Sequence, residues 1–165
     1  MPLLRVTGLT TLFATPFGEH PAVRQVSLEL EAGQTLGIVG ESGCGKSALS
    51  LSLLGLLPLG GRVAEGEMVF AEEIIPLHGR SDRLAALRGK EIAMIFQEPM
   101  TSLNPVHRIG RQIEEAVKLH QDVSDRDARV QALQALENVQ IPAAEQRLQD
   151  FPHQLSGGLR QRGRI

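Results

Sequence analysis

The sequence is poor in aromatic residues and in cysteine. Its 165 residues include no tryptophan, no tyrosine, five phenylalanines and one cysteine, Cys44. A single cysteine excludes an internal disulfide framework and fits a reducing compartment. So few aromatic rings leave little for stacking on single-stranded bases, and a net charge of −2 gives no basic field. These deficits argue against nucleic acid as a partner.

Long apolar runs are also absent from the sequence. The most apolar stretch, residues 48–59, is shorter than the roughly 20 residues that a bilayer span needs. The N-terminus lacks the continuous apolar core and small-residue cleavage site of a signal peptide. The five histidines show no metal-ligand spacing. We therefore expect a cytoplasmic protein without a histidine metal centre, able to dock on a membrane partner.

The hydrophobic pattern of the first hundred residues predicts mainly strands. Alternation of apolar and polar residues over 3–9 and 23–30 is typical of half-buried strands. The short apolar runs 35–39 and 92–96 predict strands that are buried on both faces. Between them, the pattern predicts a helix from about residue 46 to residue 57, where Pro58 ends it.

The rest of the chain is predicted to be richer in helix. Residues 66–75 favour a further strand with a break at Pro76, and Ser81 is a candidate N-cap for a short helix over 82–87. Helical spacing recurs between residues 106 and 138, and Ser124 with Asp125 predicts a break and a cap between two helices. A last helix is expected from Leu159 onward.

One segment carries a specific chemical signal, the spacing Gly-x4-Gly-Lys-Ser that cradles phosphates. Glycines allow successive N–H groups to point at phosphate oxygens, and the following helix adds the positive end of its dipole. Lys46 is predicted to bridge the β- and γ-phosphates, and the Ser47 hydroxyl to ligate Mg²⁺. ATP with magnesium is the expected ligand of the whole segment, which runs Gly40, Glu41, Ser42, Gly43, Cys44, Gly45, Lys46 and Ser47.

The alternative to phosphate binding is a glycine-rich turn that happens to precede a helix. Average residue usage gives such a match by chance in under about 1% of chains of this length, and the predicted strand and helix flank the loop as required. Cys44 either fills a variable loop position or is an acidified thiol at a helix N-terminus. The loop alone does not choose among kinases, GTPases, helicases and transport ATPases.

Two later strings narrow the choice. The string IAMIFQEPMTSLNP over residues 92–105 resembles the Q-loop region of ABC-transporter ATPases, in particular the dipeptide and oligopeptide importer subfamily. The string PHQLSGGLRQR over residues 152–162 resembles the signature motif of that family. Leu159 stands where the general motif has Gln, and a hydrophobic residue there is typical of the peptide-importer branch. The resemblance covers essentially the whole chain.

The resemblance implies roles for individual residues. Gln97 would sense the γ-phosphate and Mg²⁺, which makes Ser47 and Gln97 the metal-contacting pair. Ser156, Gly157 and Gly158 would close over ATP held by a second ABC ATPase subunit in a head-to-tail dimer. Phe13 lies where the family stacks an aromatic ring on adenine, although Phe17 competes for that role and a core Phe at a strand end is the alternative.

The resemblance also implies a fold and partners. The expected class is α/β, a P-loop NTPase with an N-terminal antiparallel β subdomain and a helical subdomain. Residues 1–98 would form the nucleotide-binding core, residues 99–155 the helical subdomain, and residues 156–165 the signature motif with the start of its helix. Transmembrane permease subunits would be further partners, which places the protein on the inner face of the cell membrane.

The sequence contains no second acidic motif of the kind that such ATPases need. That motif is four apolar strand residues followed by Asp for Mg²⁺ and Glu for the attacking water. Glu98 follows an apolar run, but no Asp precedes it, so it is rejected as the catalytic base. We expect a C-terminally truncated family member whose core parallel sheet is incomplete. Such a chain would be marginally stable and would bind ATP without hydrolysing it alone.

Four functions stay open at this point. The first is the ATP-binding subunit of an importer for dipeptides, oligopeptides or nickel. The second is a soluble ABC ATPase of DNA repair or translation, which the transport-type string disfavours. The third is a small P-loop kinase, a class that has no LSGG sequence. The fourth is a non-catalytic remnant.

Overall fold

A computed structural model of the chain describes residues 1–79, 81–96 and 103–162. It contains two compact units, Met1–Ile92 and Ala93–Ile165. Each unit has its own cluster of buried apolar side chains. The Q-loop residue Gln97 lies outside the described residues, so its predicted role stays a prediction.

The first unit is built on a four-stranded antiparallel sheet in the order β2-β1-β3-β4. The strands predicted at 3–9 and 23–30 are confirmed and are longer than predicted. The tight turn between them closes a hairpin, and there the Thr15 hydroxyl donates a hydrogen bond of 2.6 Å to the Gly18 carbonyl. The four strands are β1 Leu4–Thr15, β2 Gly18–Leu30, β3 Gly61–Phe70 and β4 Glu73–Ile75.

Two helices, α1 Lys46–Leu53 and α2 Asp82–Leu87, belong to the first unit with the sheet. Apolar residues of the strands and of both helices share one core, in which Leu9, Met68 and Leu87 have no exposed surface. The predicted cap of α2 is confirmed, because the Ser81 side chain accepts a hydrogen bond from the Leu84 amide. This core fixes α1, whose first residue is Lys46.

The two predictions of strands buried on both faces are wrong. Residues 35–39 and 93–96 form no strand, and Ile92 makes only an isolated bridge to Arg88. Val39 is 97% exposed and Ile95 is 64% exposed. An apolar run becomes such a strand only where neighbouring strands flank it, and within the described residues no strand pairs with either run. The apolar composition of these runs is therefore not enough to form a strand without neighbouring strands to pair with.

Two other boundaries differ from the sequence-based expectation. The strand predicted over 66–75 is two strands, since residues Ala71 and Glu72 form a turn between β3 and β4. The helix predicted to end near residue 57 ends at Leu53. Two backbone hydrogen bonds, from Gly55 to Ser52 and from Leu56 to Leu51, close its last turn well before Pro58.

The second unit is helical among its described residues. The predicted break between two helices is confirmed at Ser124, which accepts a hydrogen bond of 3.2 Å from the Asp127 amide. Ile109, Leu136 and Leu148 are almost fully buried in its core. The helices are α3 Ile109–His120, α4 Asp125–Asn138, α5 Ala144–Arg147 and α6 Gly157–Arg162, with a 3-10 helix at Pro152–Gln154.

Exposed ion pairs connect different elements within each unit. Hydrogen bonds from Arg62 hold the pKa of the Glu19 carboxyl below its usual value, and Arg83 does the same for Glu73. In the second unit, the hydrogen bond from Lys118 lowers the pKa of Asp125. Within the part of the chain that is described, no helix has both the length and the apolar content to span a membrane.

Candidate functional site: a phosphate-binding loop at the start of helix α1

The glycine loop, residues 40–47, leads directly into helix α1. Gly45 is the N-cap of this helix and has left-handed backbone angles, φ 97° and ψ 1°. The turn before it is closed by a hydrogen bond of 3.3 Å from the Cys44 amide to the Glu41 carbonyl. Glycine adopts this conformation without the steric cost that a Cβ imposes. The loop therefore reverses the chain at the point where the helix begins.

Two glycines of the loop lie close to other atoms, one to backbone and one to a side chain. A Cβ on Gly45 would lie less than 3.0 Å from the carbonyl oxygen of Ala22 in β2. A Cβ on Gly40 would lie 2.6 Å from the Cys44 sulfur. The Ala22 carbonyl is backbone and cannot move aside easily, whereas the Cys44 side chain can rotate away. The requirement for glycine is therefore strict at Gly45, where the loop packs against β2.

The Lys46 side chain folds back across the loop. Its ammonium group donates hydrogen bonds of 2.7 Å to the Gly40 carbonyl and 2.6 Å to the Glu41 carbonyl. It also lies 3.4 Å from the Cys44 sulfur. A positive charge is therefore held against the loop backbone, while Ser47 is exposed.

The N-terminus of α1 carries no compensating negative charge. No side chain caps it, and its first turn contains no acidic residue. By contrast, α2 and α4 each begin with a serine cap and an aspartate in the first turn. The first N–H groups of a helix have no partner within the helix, and its dipole favours an anion there. The glycine loop, Lys46 and this helix start fit a phosphate group.

The fit to magnesium rests on Ser47. Within residues 1–79, 81–96 and 103–162, no group of three or more His, Cys, Asp or Glu side chains is placed to hold a metal ion. The exposed Ser47 hydroxyl would therefore act together with phosphate oxygens, which are the usual ligands of Mg²⁺ in nucleotide sites. Gln97, the other predicted metal-contacting residue, lies outside the described residues.

The two candidate rings for adenine stacking differ in their surroundings. Phe13 is half-buried near the end of β1, opposite Gly61 of β3, and a Cβ on Gly61 would come within 2.8 Å of the ring. Phe17 lies in the turn after β1 and is fully exposed. The Phe13 ring therefore lies close to Gly61 of β3, whereas the Phe17 ring is open to solvent.

The signature residues lie in the second unit at the start of α6. Leu155 is only 3% exposed and anchors the segment in the second core. The next three residues, Ser156, Gly157 and Gly158, are exposed. A Cβ added to either glycine would meet no atom within 4 Å. The segment therefore presents a hydroxyl and two glycines in open space.

Comparison with known proteins identifies the family. A model described as "ABC transporter" matches residues 23–165. This chain belongs to the ABC transporter family. The ABC fold agrees with the solved cassettes, since the dimeric structure of MJ0796, a bacterial ABC transporter cassette, superposes with a TM-score of 0.82 at 24% identity. That alignment covers 98% of this chain and 67% of the MJ0796 chain. The predicted α/β fold of a P-loop NTPase is confirmed.

Curated ABC relatives include named importer subunits. The oligopeptide transport ATP-binding protein OppD of Salmonella typhimurium is 45% identical over 160 residues, which is 97% of this chain and 47% of OppD. The glutathione import ATP-binding protein GsiA of Salmonella paratyphi A is 47% identical over 165 residues, covering 97% of this chain and 26% of GsiA. The chain thus spans about half the length of OppD and about a quarter of GsiA.

Several contacts at the C-terminal end of α1 carry no sequence signal. The buried hydroxyls of Thr11 and Ser52 lie 2.7 Å apart and join β1 to the last turn of α1. Just after α1, the Arg88 guanidinium donates to the carbonyls of Leu54, at 2.6 Å, and Gly55, at 3.3 Å. These contacts join residues that are 41 and 33 or more positions apart, so no local pattern reveals them.

We expect Ser52→Ala to destabilise the chain by about 1–3 kcal/mol. Ser52 donates its proton to the Ala48 carbonyl, so the fully buried Thr11 hydroxyl is the donor to Ser52 and would lose its acceptor. Adding Thr11→Val removes the unsatisfied group and should recover most of that loss. Denaturant unfolding of both single variants and the double variant measures the coupling.

Ser50→Ala is the matched control, because Ser50 lies on the same helix and makes only a longer bond of 3.3 Å to the Lys46 carbonyl. We expect its effect to stay below about 0.5 kcal/mol. If the losses in free energy of unfolding of Ser52→Ala and Thr11→Val simply add in the double variant, the hydroxyl pair does not fix α1.

Proposed function

We propose that this chain is the ATP-binding part of an ABC importer subunit that serves peptide uptake. The observation that carries the proposal is the glycine loop at the start of α1, where the Lys46 ammonium lies across the loop within 2.7 Å of two carbonyls. The helix start offers positive charge with no acidic residue in its first turn. The names of the relatives, oligopeptide transport for OppD and glutathione import for GsiA, support the substrate class.

In this proposal the loop residues bind the β- and γ-phosphates of ATP. Lys46 turns its ammonium group from the carbonyls of Gly40 and Glu41 toward the phosphate oxygens, and Ser47 ligates Mg²⁺ through its hydroxyl. Phe13 supplies the ring against adenine. Gln97 keeps its predicted role as the sensor of the γ-phosphate. When bound, ATP supplies the free energy of its hydrolysis to transport.

Ser156, Gly157 and Gly158 are proposed to complete the site of a second ABC ATPase subunit in a head-to-tail dimer. Their exposure and the open space at both glycines support this role. The solved MJ0796 cassette is described as dimeric, and one such structure is bound to ADP and Pi. Transmembrane permease subunits would be the further partners, and the protein would lie on the inner face of the membrane.

We also propose that residues 1–165 bind ATP without hydrolysing it alone. The sequence contains no apolar strand pattern followed by Asp and Glu, which would supply the metal ligand and the base for the attacking water. The division into residues 1–98, 99–155 and 156–165 stays a prediction. A chain that turns over ATP at a steady rate without any partner would contradict this part of the proposal.

Binding of a fluorescent ATP analogue with Mg²⁺ tests the phosphate site. We expect Lys46→Met to weaken binding about 10- to 100-fold, since it removes hydrogen bonds from a charged donor worth about 1.5–3 kcal/mol. Lys90→Met is the control, because Lys90 is an exposed lysine elsewhere in the first unit. Equal affinities of the two variants would overturn the assignment of the loop.

Uptake by cells tests the substrate class. Cells that carry Lys46→Met in the chromosomal gene should lose uptake of a labelled oligopeptide and retain uptake of labelled nickel. Loss of nickel uptake with intact peptide uptake would contradict the peptide assignment.

A further inference from the structure

The first turn of α3 makes hydrogen bonds to two separate stretches of the second unit. One stretch is residues 103–107, which begin within the last three residues of the Q-loop string. The other is residues 148–151, which precede the signature motif. We call these the upstream stretch and the downstream stretch. The turn connects the two stretches, and the functional meaning of this connection rests on the proposed role of Ser156, Gly157 and Gly158.

The upstream stretch is held by the side chain of Gln112. Its amide oxygen accepts a hydrogen bond of 2.8 Å from the Asn104 amide, and its amide nitrogen donates to the carbonyls of Asn104, at 3.1 Å, and His107, at 2.9 Å. Asn104 also accepts from the Val106 amide through its side chain, at 3.1 Å. One glutamine thus satisfies three main-chain groups of this stretch, which fixes its conformation.

The downstream stretch is held by the backbone of the same turn. The amides of Ile109 and Gly110 donate hydrogen bonds of 2.9 Å each to the carbonyls of Asp150 and Leu148. A Cβ on Gly110 would lie 2.7 Å from the Leu148 oxygen. These two carbonyls therefore satisfy orphan N–H groups at the start of α3. The close approach leaves the downstream stretch little freedom to move along the helix.

The Arg108 side chain also contacts the downstream stretch. Its guanidinium donates a hydrogen bond of 2.6 Å to the Gln149 side chain and lies 5.9 Å from the centre of the Phe151 ring. The Phe151 ring stacks on His153, with ring centres 5.7 Å apart. An arginine over an aromatic face is attracted by the ring's negative potential. The chain is thus held continuously from Arg108 to the residues just before the signature motif.

The residues that lead into the signature motif are also held by contacts. The Phe151 amide donates a hydrogen bond of 2.7 Å to the Gln154 side chain across the 3-10 helix. Leu155 is buried in the same core as Ile109. Ser156 follows immediately, and its hydroxyl accepts from the Leu159 amide at 3.4 Å. The path from the first turn of α3 through residues 148–155 to Ser156 therefore consists of packing contacts and hydrogen bonds.

We propose that Arg108 and Gln112 are positioning residues that link the upstream stretch to the signature serine. A displacement of the upstream stretch acts on Gln112, and the first turn of α3 transmits it to the downstream stretch and to Ser156. The two stretches are thereby coupled through one helical turn that contacts both. Such coupling is reciprocal, so loosening either side loosens the other.

Hydrogen exchange of the full chain, followed by mass spectrometry, tests the link without any nucleotide. Gln112→Ala removes contacts to the upstream stretch only, yet we expect exchange about 10-fold faster in both 103–107 and 148–158. Arg108→Ala should likewise accelerate exchange in 103–107, which its side chain does not contact. Gln131→Ala is the control, because Gln131 lies on α4 and loses one exposed hydrogen bond of 3.0 Å to Gln121.

Two outcomes would overturn the proposal. Faster exchange confined to 103–107 in Gln112→Ala would show that the contact is local. Equal acceleration in every peptide of the second unit, α4 included, would show general destabilisation of the fold. Acceleration of both stretches while the amides of α4 keep their protection is the supporting result.

A second measurement connects the link to nucleotide and separates it from the proposed function. Gln112→Ala should leave the affinity for the fluorescent ATP analogue within about 2-fold of the original chain, because Gln112 lies outside the glycine loop. Sedimentation at saturating nucleotide should show association weakened about 10-fold. If the original chain binds no nucleotide, the proposed function fails, whereas the exchange experiment still decides the link. Unweakened association of a variant that loosens both stretches would overturn the positioning role.

Discussion

Gly45→Ala should abolish detectable binding of the fluorescent ATP analogue and lower the free energy of unfolding by about 2–5 kcal/mol. The left-handed backbone at this position costs a residue with a Cβ about 1–2 kcal/mol. The new Cβ would also meet the Ala22 carbonyl at less than 3.0 Å, which adds about 1–3 kcal/mol of overpacking. Relief of that clash moves the loop away from β2 and changes the direction of the first N–H groups of α1.

Gly43→Ala is the matched control for this prediction. Gly43 also has a left-handed φ of 84°, but a Cβ there meets no atom within 4 Å. Its variant should therefore show only the conformational cost of about 1–2 kcal/mol and keep measurable nucleotide binding. Equal losses of stability and affinity in the two variants would contradict a role for the contact between the loop and β2. Denaturant unfolding and equilibrium binding provide both quantities.

Gly66→Ala should destabilise the chain by about 2–5 kcal/mol without acting on the phosphate loop directly. Gly66 lies in β3 with φ 113°, and a Cβ there would come within 2.6 Å of the Leu9 Cα and 2.9 Å of the Leu9 nitrogen. Those atoms belong to the backbone of β1, and the Leu9 side chain is fully buried. The sheet can relieve the contact only by moving β1 or β3, as overpacked sites must.

Gly60→Ala separates the conformational cost of a Cβ from the steric contact that a Cβ makes at Gly66. Gly60 has φ 86°, and the nearest atom to its added Cβ is the Ala14 carbonyl oxygen at 3.7 Å. We expect its variant to lose about 1–2 kcal/mol, which is the conformational cost alone. If Gly66→Ala loses no more than this in denaturant unfolding, the close approach of β3 to β1 does not contribute to stability.

The parts of the fold that follow local rules could be predicted from the sequence. Ser81 and Ser124 precede an aspartate and a helical pattern, and both cap their helices because the serine oxygen needs only the amide three residues ahead. The alternation in β1 and β2 depends on one buried face, which each strand carries in its own sequence. The glycine loop likewise follows from spacing alone.

The features that could not be predicted depend on contacts between distant residues. Residues 35–39 and 92–96 have the composition of buried strands, but a strand also needs neighbours, and composition does not supply them. The hydrogen bonds of Gln112 to Asn104 span eight positions without helical periodicity. The contact between Gly45 and Ala22 becomes visible only when the loop and β2 are placed in space. The sequence therefore predicts where the glycine loop and its helix lie better than it predicts what holds them in place.

The contacts of Lys46 bear on how many phosphates a ligand of the proposed site would need. The ammonium group already has two carbonyl partners, Gly40 and Glu41, so an incoming anion competes with them for the same charge. A single phosphate would replace those neutral carbonyls with one charged partner. A chain of two or three phosphates would contact Lys46 and the helix start at the same time. In the proposed site we therefore expect di- and triphosphates to bind more tightly than a single phosphate, before any contact with the base contributes.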